Sequence, residues 1–191
     1  MTHLAAAQRH TLASDLLTQT QIPVRYLHTK TLNKHPQFSA NRKQLFTYYA
    51  EWGKQPGNVV LMGAVGTGKT HLACKLLMDL AKRLYIVKYQ TLRDITLKLR
   101  DFDSGISEAD ALQQFTSFDC LVIDEVGRGK VSAYQSDVLF HIINARYNEM
   151  KPTIVISNHT QQQLKTLFGE ATLDRLLSGA LLLTFNYPSF R

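Results

Sequence analysis

The chain has 191 residues, 45% of them hydrophobic, which bounds it to one ordinary globular domain with at most a small appendage. Its formal charge is +7, and residues 1–57 hold seven Lys or Arg against two Asp or Glu, a balance that suits a polyanion such as nucleic acid. No apolar run reaches the length of a membrane span, Gln8, Arg9 and His10 interrupt the first apolar block unlike a secretory leader, and Cys74 and Cys120 lack a C-x-x-C spacing, so a cytoplasmic protein with reduced thiols and no membrane partner is expected.

Residues 1–21 read as a short N-terminal arm, helical from Leu4 to Leu17, and residues 22–191 as the main domain. The stretch from Ile22 to Gln37 carries Pro23 and Pro36 and few apolar repeats, which predicts extended or looped chain. Ser39 to Trp52 places Leu45, Tyr48, Tyr49 and Trp52 on one helical face. A first strand, Asn58 to Gly63, runs into a glycine-rich turn and then a helix bearing Leu72, Leu76, Leu77 and Leu80. Arg83 to Tyr89 reads as the second strand and Thr91 to Arg100 as a basic amphipathic helix, with another short helix ending near Phe115. The third strand lies within Phe118 to Gly127, a helix in Tyr134 to Tyr147, and the fourth strand in Pro152 to Asn158. Helices at Gln161 to Phe168 and Thr172 to Leu177 precede a fifth strand, Ala180 to Phe185. Strands alternating with helices predict an α/β fold, a parallel sheet covered on both faces.

The turn after the first strand is Gly63, four residues, then Gly68, Lys69 and Thr70, which satisfies the P-loop pattern G-x-x-x-x-G-K-[ST]. Its chemistry is phosphate binding. Gly63, Gly66 and Gly68 allow a tight turn, and the backbone N–H groups from Ala64, Val65 and Thr67 through to His71 can approach phosphate oxygens at a helix N-terminus. Lys69 adds a full charge on the β- and γ-phosphates, and the Thr70 hydroxyl can ligate Mg²⁺. Lys69 is expected to face solvent until phosphate arrives. Asp124 and Glu125 close the third strand; the first can hold Mg²⁺ and the second can deprotonate the attacking water. Asn158, at the end of the fourth strand, can hydrogen-bond the γ-phosphate or that water; a turn or helix-cap role is the plainer alternative, and the two can coexist. ATP and Mg²⁺ are the expected cofactors and ATP hydrolysis the expected activity. No guanine-reading N-K-x-D tetrapeptide occurs.

The stretches "GAVGTGKTHLA", "LVIDEVG", "IINARYNEMKPTIVISN", "LDRLLSG" and "FNYPSFR", with "IPVRYL" upstream, resemble the AAA+ ATPases of the DnaC/DnaI helicase-loader and IstB transposition-helper group. The resemblance covers residues 22–191. It implies a three-layer P-loop NTPase with a five-stranded sheet in the order 5-1-4-3-2 and little or no C-terminal lid. It also implies that Arg175 is an arginine finger reaching the ATP of an adjacent subunit in a homo-oligomer, and that Arg191 is a sensor 2 arginine. A surface arginine paired with Asp174 or Glu170 is the plainer alternative for Arg175. The loaders' segment between the second and third strands touches single-stranded DNA. Here it spans Thr91 to Phe118, where Arg93, Lys98 and Arg100 can meet phosphates and Phe102 or Phe115 can stack on bases. A replicative helicase is the implied partner, although a whole helicase-binding domain does not fit in the residues before Ile22. Two alternatives stand beside this reading: a transposition helper on duplex DNA, and a non-catalytic nucleotide-binding antagonist of a host helicase or loader.

Overall fold

Five short apolar segments form one parallel sheet in the order β2-β3-β4-β1-β5. They are β1 (Val59–Gly63), β2 (Val87–Thr91), β3 (Cys120–Val126), β4 (Thr153–Ser157) and β5 (Leu181–Phe185). The computed structural model describes residues 2–29, 35–50, 57–101 and 105–190, of which 2–7 are described as backbone only. The central strands are buried on both faces, as a parallel sheet between helical layers requires. Register runs from Val59 opposite Ile154 to Met62 opposite Ser157, and from Val59 opposite Leu181 to Gly63 opposite Phe185. This is the predicted five-stranded P-loop architecture, with its strand order read from the opposite edge.

Alternate strand residues feed two cores. Val59, Leu61, Val122 and Ile154 pack with α3 (Pro36–Ala50) and α4 (Lys69–Lys82). Val60, Met62, Leu121, Ile123 and Val155 pack on the opposite side with α5 (Leu92–Leu99), α6 (Glu108–Ser117), α7 (Ala133–Asn148), α8 (Gln161–Phe168) and α9 (Glu170–Leu177). Local chemistry sets several helix starts. Ser132 with Gln135 and Thr160 with Gln163 form reciprocal capping boxes, and Thr91 caps α5.

Three boundaries differ from the sequence reading. The stretch after Ile22 contains a short helix, α2 (Val24–Leu27), which starts directly after Pro23. Helix α3 begins at Pro36, ahead of the expected Ser39, and Trp52, the expected end, lies outside the described residues. The second strand begins at Val87, not Arg83, because α4 closes first in a left-handed turn. Leu84 has φ +70°, its N–H donates to Ala81 O at 2.9 Å, and Tyr85 N–H donates to Leu80 O at 3.1 Å. This is a Schellman closure made without glycine.

The N-terminal helix α1 (Thr2–Gln19) lies against α4 and β2, with Leu16 and Leu17 packed on the first core. The Tyr89 N–H donates to Thr20 O at 2.8 Å, and Lys88 Nζ to Gln19 O at 2.8 Å. Residues 19–21 thereby cover the edge strand of the sheet. Among the described residues no helix is long and apolar enough to cross a membrane.

Candidate nucleotide-binding site

The P-loop leaves the centre of the sheet between β1 and α4, where the strand order reverses and parallel sheets open a crevice at their C-terminal ends. Gly63 has φ +133°, and a Cβ there would stand 2.4 Å from Phe185 O on β5. Its lack of a side chain therefore serves close strand packing as well as the turn. Gly68 caps α4 at φ +91°, where a Cβ would meet the Phe38 ring at 2.9 Å. The C-terminal segment ties the loop down: Phe190 N–H donates to Gly66 O at 2.9 Å and Tyr187 Oη–H to Thr67 O at 2.8 Å. Thr67 Oγ1–H donates to Ala64 O at 2.8 Å.

Lys69 corrects one expectation. Its side chain is not solvent-facing but 6% exposed, and Nζ donates to Gly63 O and Ala64 O, both at 2.7 Å. Burial pulls its pKa down to about 8, with Asp124 acting in the opposite direction. The ammonium thus lies in the fold of the loop, within the cavity where phosphates would sit.

Asp124 and Glu125 are presented by a β-bulge. Ile123 pairs with Val155 and Val126 with Ser157, so β3 spends one more residue than β4 over the same span. Glu125 adopts φ +57°, an uncommon conformation for a side chain of this kind, and is exposed. Its carboxylate pairs with Arg128. Asp124 is 5% exposed. Its Oδ2 accepts from Thr70 Oγ1 at 2.7 Å and from Tyr89 Oη at 2.8 Å, and its Oδ1 accepts from the Glu125 N–H at 2.6 Å. Ser157 Oγ donates to Val126 O at 2.7 Å, which fastens the end of the bulge to β4.

These groups share one cavity of about 730 Å³, with Val65 to His71, Asp124, Glu125 and Asn158 on its wall. Lys69, Thr70, Asp124, Glu125 and Asn158 are therefore brought together from three strand ends. The donor set suits both expected cofactors: a loop of N–H groups and an ammonium for phosphate, and a hydroxyl–carboxylate pair of oxygens for a hard cation such as Mg²⁺. Sequence reasoning missed Tyr89, Arg25, Tyr26, Thr29, Arg128 and Phe190, which also line the cavity. His71 is 5% exposed; its Nδ1 lies 3.2 Å from Thr29 Oγ1, and its Nε2 has no partner among the described residues.

Other predicted residues lie elsewhere. Arg175 is not on the wall of this cavity; its guanidinium sits 5.8 Å from the Phe140 ring centre. Glu170, one of its two suggested partners, pairs instead with Lys165 at 2.7 Å. Arg93, Lys98 and Arg100 are exposed on and just beyond α5. Arg100 lies 4.1 Å from the Tyr134 ring centre, and Lys98 Nζ is 3.4 Å from Gln21 Oε1. Phe115 is 4% exposed in the second core, which rules out base stacking by its ring. Phe102 and Arg191 lie outside the described residues.

Residues 10–191 match the family described as IstB-like ATP binding protein. The replicative helicase loader DnaC of Escherichia coli K12 is 32% identical over 147 residues, covering 75% of this chain and 60% of the loader. The crystal structure of the DnaC helicase loader superposes with a TM-score of 0.76 at 20% identity, covering 85% of this chain and 99% of that one. The crystal structure of DnaI gives 0.75 at 21% identity, covering 92% and 99%. The chain thus spans about 60% of the length of the curated DnaC loader it matches.

Proposed function

This chain belongs to the family of IstB-like ATP binding proteins, and on that footing we propose that it hydrolyses ATP with Mg²⁺ as a cytoplasmic DNA-replication protein of the helicase-loader type. The observation that carries the catalytic part is the Thr70–Asp124 contact of 2.7 Å in the P-loop cavity, with Glu125 and Asn158 on the same wall. The loop N–H groups and Lys69 bind and orient the phosphates. Thr70 and Asp124 would hold the metal, which would supply neutralisation of charge on the phosphoryl oxygens when bound. Glu125 accepts the proton of the attacking water, and Asn158 orients that water. Arg175, outside its own subunit's cavity, serves the ATP of a neighbour, so the active form is a homo-oligomer with ATP at its interfaces. Homology to DnaC loaders supports a replicative helicase as partner. Single-stranded DNA is the track this reading assigns, with phosphates met by the exposed Arg93, Lys98 and Arg100 and bases by Phe102.

Three measurements test this. Lys69→Ala should abolish ATP binding while the domain stays folded; wild-type affinity in the folded variant would refute the site. Pull-down with a replicative helicase should succeed where pull-down with a transposase fails; the reverse would identify a transposition helper, and capture of helicase without any ATP turnover an antagonist. Replacing Arg93, Lys98 and Arg100 by Ala should flatten the dependence of log DNA affinity on log salt. An unchanged slope would move the DNA contact to the basic residues 1–57.

A further inference from the structure

Asp124 is held by more than the P-loop. Two hydroxyls converge on its Oδ2, Thr70 at 2.7 Å and Tyr89 at 2.8 Å, while Oδ1 takes the Glu125 N–H. Tyr89 comes from the neighbouring strand β2, where Thr91 is the residue in register with Asp124. Its ring is 7% exposed and belongs to the first core, and its backbone N–H is fixed on Thr20 O at 2.8 Å. Strand, ring and main chain are all constrained, so the hydroxyl is delivered to one point. A phenylalanine would fill the same space. The hydroxyl is therefore spent on the carboxylate and not on packing.

Oδ2 already receives two O–H groups, so the acceptor capacity left on Asp124 is mainly on Oδ1. Thr70 commits its hydrogen to Oδ2, which leaves its lone pairs free for a cation. That direction is fixed only while Asp124 keeps its rotamer. Tyr89 supplies the second restraint on that rotamer. We propose that Tyr89 is a positioning residue for Mg²⁺: its hydroxyl orients Asp124 and, through it, Thr70. This rests on the Mg²⁺–ATP reading of the cavity.

The test is Tyr89→Phe, read by titrating Mg²⁺ into the protein with a fluorescent ATP analogue and by measuring binding of the same analogue in EDTA. Loss of a partner that orients a metal-holding group typically weakens metal affinity by about ten-fold or more. The half-saturating Mg²⁺ concentration should rise on the order of ten-fold, with affinity in EDTA unchanged. In an Asp124→Ala background the same Tyr89→Phe change should move the Mg²⁺ midpoint by less than about two-fold, because its acceptor is gone. An unchanged Mg²⁺ midpoint in Tyr89→Phe overturns the role. So does equal weakening with and without metal, which would make Tyr89 a packing residue, or a full-sized effect in the Asp124→Ala background. Nucleotide binding that ignores Mg²⁺ in the unaltered protein defeats the reading of the cavity itself. A Mg²⁺ response indifferent to Tyr89→Phe removes only the tyrosine.

Discussion

Replacing Arg146 by methionine should destabilise the domain by about 3 kcal/mol, a figure that follows from the carbonyls it leaves behind. Arg146 has 0% exposure and sits in α7. Its Nη1 donates to Phe115 O at 3.0 Å and Phe118 O at 2.9 Å, its Nη2 to Pro152 O at 2.7 Å, and its Nε to Thr153 Oγ1 at 3.0 Å. Phe115 lies in the last turn of α6, where helical carbonyls have no internal partner. One guanidinium thus ties the end of α6, the entry to β3 and the start of β4 to α7. Burial lowers its pKa to about 10, which still leaves it charged at neutral pH. Methionine fills comparable volume without any donor. Pro152 O retains the Leu121 N–H at 3.4 Å, so the heaviest losses fall on Phe115 and Phe118. Left unpaired, the buried carbonyl of Phe115 and the part-buried carbonyl of Phe118 cost roughly 2–5 kcal/mol together. Release of a desolvated charge offsets part of that. The net is a large share of a domain stability of about 5–15 kcal/mol. Urea unfolding followed by circular dichroism should show a lower midpoint at unchanged slope. Arg146→Lys should fail to restore stability, since one ammonium cannot span acceptors on three elements. A loss below about 1 kcal/mol for methionine, or full rescue by lysine, would show that charge or volume matters at this site and the fork does not.

Glu125→Gln should keep ATP binding and slow turnover by about 10² or more; equal turnover would place the general base elsewhere. Arg175→Ala should bind ATP normally yet turn over slowly, and mixing it with Lys69→Ala should partly restore activity, because one protein supplies the pocket and the other the finger. Variants that exchange subunits and stay inactive when mixed would assign Arg175 a role within its own subunit. Desolvation raises Cys120 from 9.0 to about 12 and raises Cys74 as well. The folded state therefore retains thiol protons that the unfolded state loses, so this contribution to stability is complete below pH 9 and declines as pH rises from there through about 12. Both thiols should react with a disulfide reagent at pH 8 only on unfolding; rapid labelling of the folded protein would contradict their burial.

The amino-acid sequence by itself determined the order and type of the main elements and the loop between Gly63 and Thr70. Those properties are local: periodic apolar residues set helices and strands, and phosphate chemistry sits in a run of eight residues. Asp124 and Asn158 were legible because each ends an apolar strand in a chain that already carried a P-loop. The end of α4 was not legible, since Leu84 occupies the left-handed position where glycine would have marked the stop. Other features depended on residues far apart in the chain. Tyr89 reaches Asp124 across 35 positions, and Arg146 finds Phe115 across 31. The bulge at Asp124 and Glu125 is defined only against β4, and the demand for glycine at position 63 comes partly from a carbonyl of β5. Lys69 was read as solvent-facing for the same reason. Its charge and place in the motif are properties of the sequence, whereas the two loop carbonyls that take its ammonium exist as a site only once the loop has folded back on itself.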